Sequence, residues 1–370
     1  MSLTTTLLHG TRTVTPGGGN RTENRVNELL HHYLRMIQQP KLGWTEHLRL
    51  GRKLGKGGQG MVYLSERRGA DGFTLPVALK FFSPERYPDE RSYRDSMERM
   101  AKVSSRVALI QHDNLLDVQN FIERRRIRVL EMEWVDGYDL DSLLAPQMLE
   151  RAESRVGQKR WDYINRVIAT AGPSHIRLKP GMAVAIVREC LAGLAALHRE
   201  EIVHGDIKLS NIMVKRTGNA KIIDIGSALD LNDMPQQKTC TPQYAAPEVL
   251  DREEMTPRSD LASVGYVLIE LLAGRPLFAD SSRDLAMLLE KKRTLPQWLH
   301  KVLPAEVRHS ELLMTICRRL TSPDPMLRYA TAEQADTGSE GLAEFQRTLV
   351  RGDLASEYEN ELRVWLEELD

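Results

Sequence analysis

The sequence predicts an α+β protein: a small β-rich part, then a larger helical part, with a cleft expected between them. Three observations predict it. From residue 48 to about 135 the chain is strand-like with one helical insert, and after residue 137 helical periodicity dominates. After the first strand-like stretch lies a run of glycines, followed by a second strand rather than by a helix.

Residues 1–20 end in Thr15-Pro16-Gly17-Gly18-Gly19-Asn20 and are expected to be flexible. Within 21–47, Val26, Leu29, Leu30, Tyr33, Leu34 and Ile37 recur at helical spacing until Pro40 stops the pattern. This amphipathic helix is expected to pack on its own domain; docking of a regulator or a second copy is the other use of such a stripe. Strands are predicted at 48–54, 61–66, 77–82, 116–122 and 127–134, with a helix around 89–107. Arg124-Arg125-Arg126 falls between the last two strands and reads as a solvated hairpin turn.

Residues 145–180 are polar and poorly patterned, an insertion between helices. The stretch 183–198 is almost wholly apolar and reads as a buried helix, and Leu261, Val264, Leu268, Leu271 and Leu272 mark another. Over 336–370 Leu354, Tyr358, Leu362, Trp365, Leu366 and Leu369 form a final helical stripe with acidic residues between them.

Composition removes several function classes. Among 370 residues Lys+Arg and Asp+Glu both total 51, so no global charge favours nucleic acid or a membrane surface. Cys190, Cys240 and Cys317 are far apart, match no metal spacing and read as free thiols in a reducing compartment. The start, MSLTTTLLHGTR, lacks the basic-then-apolar order of a signal peptide. The apolar run 261–273 contains Glu270 and is too short to span a bilayer. The expected compartment is the cytoplasm.

Chemistry is written in four places. Gly55-Lys56-Gly57-Gly58-Gln59-Gly60-Met61-Val62 fits G-x-G-x-x-G-x-V, glycines that let a backbone approach phosphates and point N–H groups at them. A strand after the glycines favours a hairpin folded over phosphates instead of a dinucleotide-binding turn. Val77-Ala78-Leu79-Lys80 ends a strand in a lysine. His204-Gly205-Asp206-Ile207-Lys208-Leu209-Ser210-Asn211 spaces an aspartate and an asparagine for metal and phosphate, and Asp224-Ile225-Gly226 closes an apolar strand with another carboxylate.

Joined in this order, these motifs resemble the protein kinase family, in a eukaryotic-like form with a bacterial spelling and with Gly205 where many members carry arginine. The resemblance implies a bilobal fold over 48–335, with an N-lobe at 48–133 and a C-lobe at 137–335. It implies ATP with Mg²⁺ (or Mn²⁺) and a protein substrate. Gly55, Lys56, Gly57, Gly58, Gln59, Gly60, Val62 and Ala78 would contact the nucleotide, and Lys80 its α- and β-phosphates, held by Glu98 of the following helix. Lys102, one turn beyond Glu98, stands where the family usually places an apolar residue. Met132 would be the gatekeeper, the backbone of Glu133, Trp134 and Val135 would meet adenine, and Asp139 the ribose. Asp206 would orient the substrate hydroxyl and accept its proton, with Lys208 neutralising the transferred phosphoryl group and Asn211 and Asp224 holding the metal. His204 is expected to be structural.

His-Gly-Asp with asparagine five residues on is also found in aminoglycoside and choline kinase relatives. Thr239-Cys240-Thr241-Pro242-Gln243-Tyr244-Ala245-Ala246-Pro247-Glu248 separates the two, because it resembles the end of a protein kinase activation segment, a platform for polypeptides. Asp260 would brace the catalytic loop, and Arg328 would pair with Glu248 as a structural tie. Lys208 and Thr241 resemble the serine/threonine branch. A nucleotide-binding scaffold and a small-molecule phosphotransferase remain the other readings. Without an arginine at 205, activity is expected not to depend on a phosphate clamp in the activation segment.

Overall fold

Two glycines make the first hairpin of the protein. β2 (Leu48–Gly57) and β3 (Gly60–Arg68) pair Gly57 with Gly60, so Gly58 and Gln59 form the tip. Gly60 has φ +146°, and a Cβ there would lie 1.8 Å from the Phe81 carbonyl oxygen, so only glycine fits. With β1 (Lys41–Leu42), β4 (Thr74–Phe82), β5 (Val118–Arg124) and β6 (Ile127–Glu133), these strands form an antiparallel sheet in the order β1-β2-β3-β4-β6-β5. Val77, Leu79 and Phe81 of central β4 are buried on one face and Ala78, Lys80 and Phe82 on the other. The basic turn between β5 and β6 places Arg125 and Arg126 at positive φ, and Arg126 pairs with Glu90 at 2.9 Å.

This sheet belongs to the first of two units, Met1–Gln111 with Leu116–Trp134; the second is His112–Leu115 with Val135–Asp370. The computed structural model describes residues 6–7, 21–39, 41–42, 48–235, 239–281, 284–351 and 358–369. The expectation of flexibility for 1–20 (apart from 6–7) and the stripe residue Leu354 lie outside the described residues. In the first unit α1 (Arg21–Gln38) packs on α2 (Glu90–Val107) and β6, burying Leu29, Tyr33 and Met36. Leu34, placed on the apolar stripe by its spacing, is instead partly exposed. Asp89 caps α2 by accepting the Ser92 N–H at 2.7 Å.

The second unit is built around α6 (Pro180–Arg199) and α8 (Pro257–Ala273). α6 has the length and apolarity of a membrane-crossing helix, yet 72% of that stretch is buried inside the unit, as in the core helix of a globular fold. A capping box of Thr256 and Ser259 starts α8, and Gly274 at φ +65° ends it. The polar stretch 145–180, expected as an insertion between helices, is folded. α4 (Pro146–Arg155), α5 (Gln158–Tyr163), the helical turn 164–168 that follows it and the hairpin of β8 (Ala169–Ala171) with β9 (Ile176–Leu178) make up the stretch, which buries Leu149, Ala152, Ile164, Ile168, Ile176 and Leu178. The C-terminal helix α15 (Tyr358–Leu369) explains the polarity. It packs on α4 and α6 through wholly buried Trp365 and Leu366, while its Glu361 and Glu368 bind Arg160 at 3.1 and 2.7 Å.

Candidate active site

In the first unit the sheet register gathers four of the residues expected at the nucleotide. Val62 lies opposite Lys80, and Ala78 lies opposite Met132. Opposed residues of antiparallel strands share a face, as do Ala78 and Lys80 two residues apart, so all four side chains project to one side. Lys80 is 4% exposed, and its ammonium donates to the Gln59 side-chain oxygen at 2.6 Å.

Glu98 does not meet Lys80, against expectation. Its side chain is 64% exposed and lies 3.8 Å from Arg94. The buried face of α2 is set by Tyr93, Met97, Ser104 and Val107, and Glu98 follows Met97 by about 100° of helix, onto the solvent side. Exposed Lys102, one turn further on, lies on the same outer face.

In the second unit a hairpin assembles the metal-ligand candidates. β11 (Ile212–Lys215) pairs with β12 (Ala220–Ile222) and with β7 (Gly137–Asp139). Ile212 stands opposite Ile222, so Asn211 before β11 and Asp224 after β12 emerge at the same end of the ribbon. The Ile223 N–H ties this end to the Asn211 carbonyl at 2.8 Å. Asp224 has φ +66°, a left-handed conformation that costs a non-glycine residue about 1–2 kcal/mol. Its Oδ1 accepts the Gly226 N–H at 3.0 Å.

Asp206 is the centre of a buried network. Its Oδ1 accepts the Thr241 N–H at 2.9 Å and the Thr241 hydroxyl at 2.6 Å. Its Oδ2 accepts from Lys208 at 2.7 Å and from the Asn211 amide at 3.3 Å. The single hydrogen of the Thr241 hydroxyl goes to Asp206, and the same oxygen accepts from Lys208 at 3.0 Å. Asn211 also donates to the Asp206 carbonyl at 2.8 Å, which fixes the amide with its Oδ1 as the free-standing acceptor.

Asp260 supports this loop from the first turn of α8, where the helix dipole favours a negative charge. It accepts the His204 and Gly205 N–H groups at 2.8 and 2.9 Å and meets His198 Nε2 at 2.9 Å. His204 is fully buried and its Nδ1 accepts the Asp206 N–H at 3.3 Å, a structural use. Gly205 has φ +74°, and a Cβ there would stand 2.9 Å from the Ser227 carbonyl oxygen. Glycine is therefore what this backbone requires.

Asp139 caps α3 (Leu140–Leu143), accepting the Ser142 N–H at 2.9 Å and its hydroxyl at 2.7 Å. A ribose contact must share a carboxylate already at work, although its remaining lone pairs allow it. Glu133 accepts the Asp117 N–H at 2.6 Å, and Met132 and Val135 are buried at 7% and 8% exposure. Arg328 and Glu248 form the expected tie, a two-pronged pair at 2.7 and 2.8 Å.

The sequence did not reveal what lies beneath the platform. Tyr244 donates to Glu270 at 2.5 Å, and Glu270 also accepts the Leu277 N–H at 2.9 Å. Burial pushes the Glu270 carboxyl up to about 7 and, with Glu270 adjacent, raises the Tyr244 hydroxyl well above its ordinary value. Lys292 of α9 (Leu285–Arg293) is fully buried over the Tyr266 and Phe278 rings, 3.8 and 4.2 Å from their centroids. It donates to the Gln243 carbonyl at 2.7 Å, while burial holds its pKa well below the usual lysine value. Burial, with Asp206 nearby, likewise pushes the Cys240 thiol up to about 12, so it is not a nucleophile.

Residues 48–337 match the protein kinase domain family. The chain belongs to that family. It is 32% identical over 241 residues to the serine/threonine-protein kinase PknH of Mycobacterium bovis, covering 64% of this chain and 35% of that protein. With the serine/threonine-protein kinase PrkC of Bacillus subtilis it shares 27% identity over 292 residues, 77% of this chain and 39% of the relative. With the serine/threonine-protein kinase STE20 of Eremothecium gossypii it shares 27% over 234 residues, 62% of this chain and 20% of the relative. The match thus spans between a fifth and two fifths of these relatives' lengths. Membership implies, in general terms, a site for ATP and a divalent metal.

Proposed function

We infer that this chain is an ATP-dependent serine/threonine protein kinase, transferring the γ-phosphoryl group to Ser or Thr hydroxyls of protein substrates. One observation carries the reading. Thr241, a residue of the polypeptide platform, is joined to Asp206 and Lys208 by three hydrogen bonds. A phosphotransferase acting on small molecules has no need to tie such a platform to its base.

The substrate hydroxyl donates to the Asp206 carboxylate, which orients it and takes its proton. A carboxylate is a weak base at neutral pH, and it suffices because a loose transition state asks chiefly for positioning and charge stabilisation. Lys208 lies beside Asp206 to neutralise the transferred phosphoryl oxygens, and Lys80 donates to the α- and β-phosphates. Asp224 and the Asn211 Oδ1 are hard oxygen donors at one hairpin end, a set that fits Mg²⁺ or Mn²⁺ completed by phosphate and water. When bound, the metal would supply positive charge that offsets the charge of the phosphate oxygens. The three cysteines are buried free thiols, in keeping with a cytoplasmic setting.

The outward Glu98 favours one other reading, a scaffold that binds nucleotide without transfer. Labelled ATP with Mg²⁺ and a generic protein substrate separates the two. Transfer by the wild type, lost in Asp206→Asn and Lys80→Ala, supports the kinase. Nucleotide binding without transfer supports the scaffold, and label on an aminoglycoside or choline alone would refute both.

A further inference from the structure

The backbone of the peptide platform is held from beneath, group by group. The Thr241 N–H donates to Asp206 at 2.9 Å. The Thr241 carbonyl accepts the Tyr244 and Ala245 N–H groups at 2.9 and 3.0 Å, which closes 241–245 into one turn. The Tyr244 carbonyl accepts the Ser263 hydroxyl at 2.8 Å, and the Gln243 carbonyl accepts Lys292 at 2.7 Å. Ser263 and Glu270, the partner of the Tyr244 hydroxyl, both belong to core helix α8, buried from Ser259 to Ala273. Lys292 comes from the last turn of α9 instead. The next residue, Arg293, reaches Asp251 at 2.6 Å, just beyond α7 (Pro247–Leu250). The end of α9 thus meets the platform segment at 243 and again at 251.

We propose that Lys292 is the positioning residue of the peptide platform: by holding the Gln243 carbonyl from below, it fixes the face that 241–244 turns to a protein substrate. The proposal rests on the kinase reading above. Its physical ground is the cost of the lysine itself. The side chain is wholly buried against the Tyr266 and Phe278 rings. An amine taken out of water destabilises a fold unless a bond made inside offsets the loss. A leucine or methionine would fill the space between the rings without that cost. What only the amine supplies is a donor to Gln243, two residues from Thr241, whose N–H and hydroxyl bond Asp206. The groups that Lys292 contacts, Gln243, Tyr266 and Phe278, are not those expected at the nucleotide or the metal.

The test compares Lys292→Met, which keeps most of the bulk and loses the donor, with Lys291→Ala at the neighbouring lysine. In Lys292→Met, KM for a protein substrate should rise about fivefold or more, because a buried carbonyl left without a donor shifts the platform. KM for ATP should stay within about twofold of wild type, the split expected when only substrate binding is touched. Lys291→Ala should stay within about twofold for both substrates. A second readout needs no turnover: amide exchange followed by mass spectrometry. The Tyr244 and Ala245 N–H groups should exchange several-fold faster in Lys292→Met, while those of α8 keep their wild-type rates. Lys292→Leu, which also lacks the donor, serves in both measurements should methionine disturb the fold. If the wild type transfers no phosphate, the kinase reading fails, and the exchange rates still decide whether Lys292 holds the platform. A protein-substrate KM within about twofold of wild type in folded Lys292→Met, an equal rise in KM for ATP, or unchanged exchange at 244–245 overturns the proposal.

Discussion

Replacing Arg328 with Met tests the physical account of the second unit most severely. The Arg328 side chain is wholly buried, and each of its five N–H donors has an acceptor. Nε donates to the Ser322 carbonyl at 2.8 Å. One terminal nitrogen reaches Glu248 at 2.7 Å and the Arg258 carbonyl at 2.9 Å, and the other reaches Glu248 at 2.8 Å and the Pro323 carbonyl at 3.4 Å. Methionine fills part of the space but strands the Glu248 carboxylate, leaving only the Ser259 hydroxyl at 2.9 Å to satisfy it. Breaking a buried pair from one side costs about 3–5 kcal/mol. For a unit of this size 1 kcal/mol moves Tm by about 2–4 °C, so the variant should melt roughly 6–20 °C below wild type by calorimetry. The double variant Glu248→Met/Arg328→Met should regain much of this, because no buried charge remains. A Tm within about 2 °C of wild type for Arg328→Met, or a double variant as unstable as the sum of the singles, would refute the reasoning.

Four further outcomes follow from the geometry. Gly205→Ala should destabilise by about 1–2 kcal/mol from its positive φ, with more for the Ser227 contact, seen as a lower urea midpoint at unchanged m-value. Thr239→Ala should keep most of the wild-type turnover, since glycine at 205 offers no guanidinium to grip a phosphate; a collapse of turnover in a folded variant would count against this. Glu270 is ordinarily an acid near 4.5 and is raised to about 7 here, so its folded form holds a proton that the unfolded chain has released. The stability from that proton is complete below about pH 4.5 and lost as pH rises through about 7, a change of about 3 kcal/mol. Melting curves across that window should therefore fall for wild type relative to Glu270→Gln, and parallel curves would sink the assignment. Lys292→Met should raise KM for the protein substrate several-fold and leave KM for ATP unchanged, because the Gln243 carbonyl loses its hydrogen-bond support.

What could be read from the sequence was whatever local chemistry dictates. Glycines that no side chain can replace, an aspartate spaced from an asparagine, and apolar runs with period 2 or 3.6 gave the strands, the helices and the Asp206 network. Glu98 went wrong because its role depends on helix rotation. The acid lies next to Met97 in sequence, and a turn of about 100° separates a buried partner from a solvated one. The 145–180 stretch looked unpatterned because its polar face is answered by α15, nearly two hundred residues on. Glu270 left a trace, a single charge in an apolar run, which the physics of burial requires to be paired. Lys292 left none, since it sits within Lys291-Lys292-Arg293, a run that reads as solvent-facing.

Gly205 shows where control of such an enzyme can reside. The Asp206 carboxylate already receives four hydrogen bonds from Thr241, Lys208 and Asn211, and Asp260 holds the preceding backbone. These contacts among the described residues of the second unit already order the loop without a phosphate ligand. A positive φ at 205 would set any arginine there against the Ser227 carbonyl, so the absence of a clamp is part of how the loop is built. Regulation by ordering the Asp206 loop has little left to order.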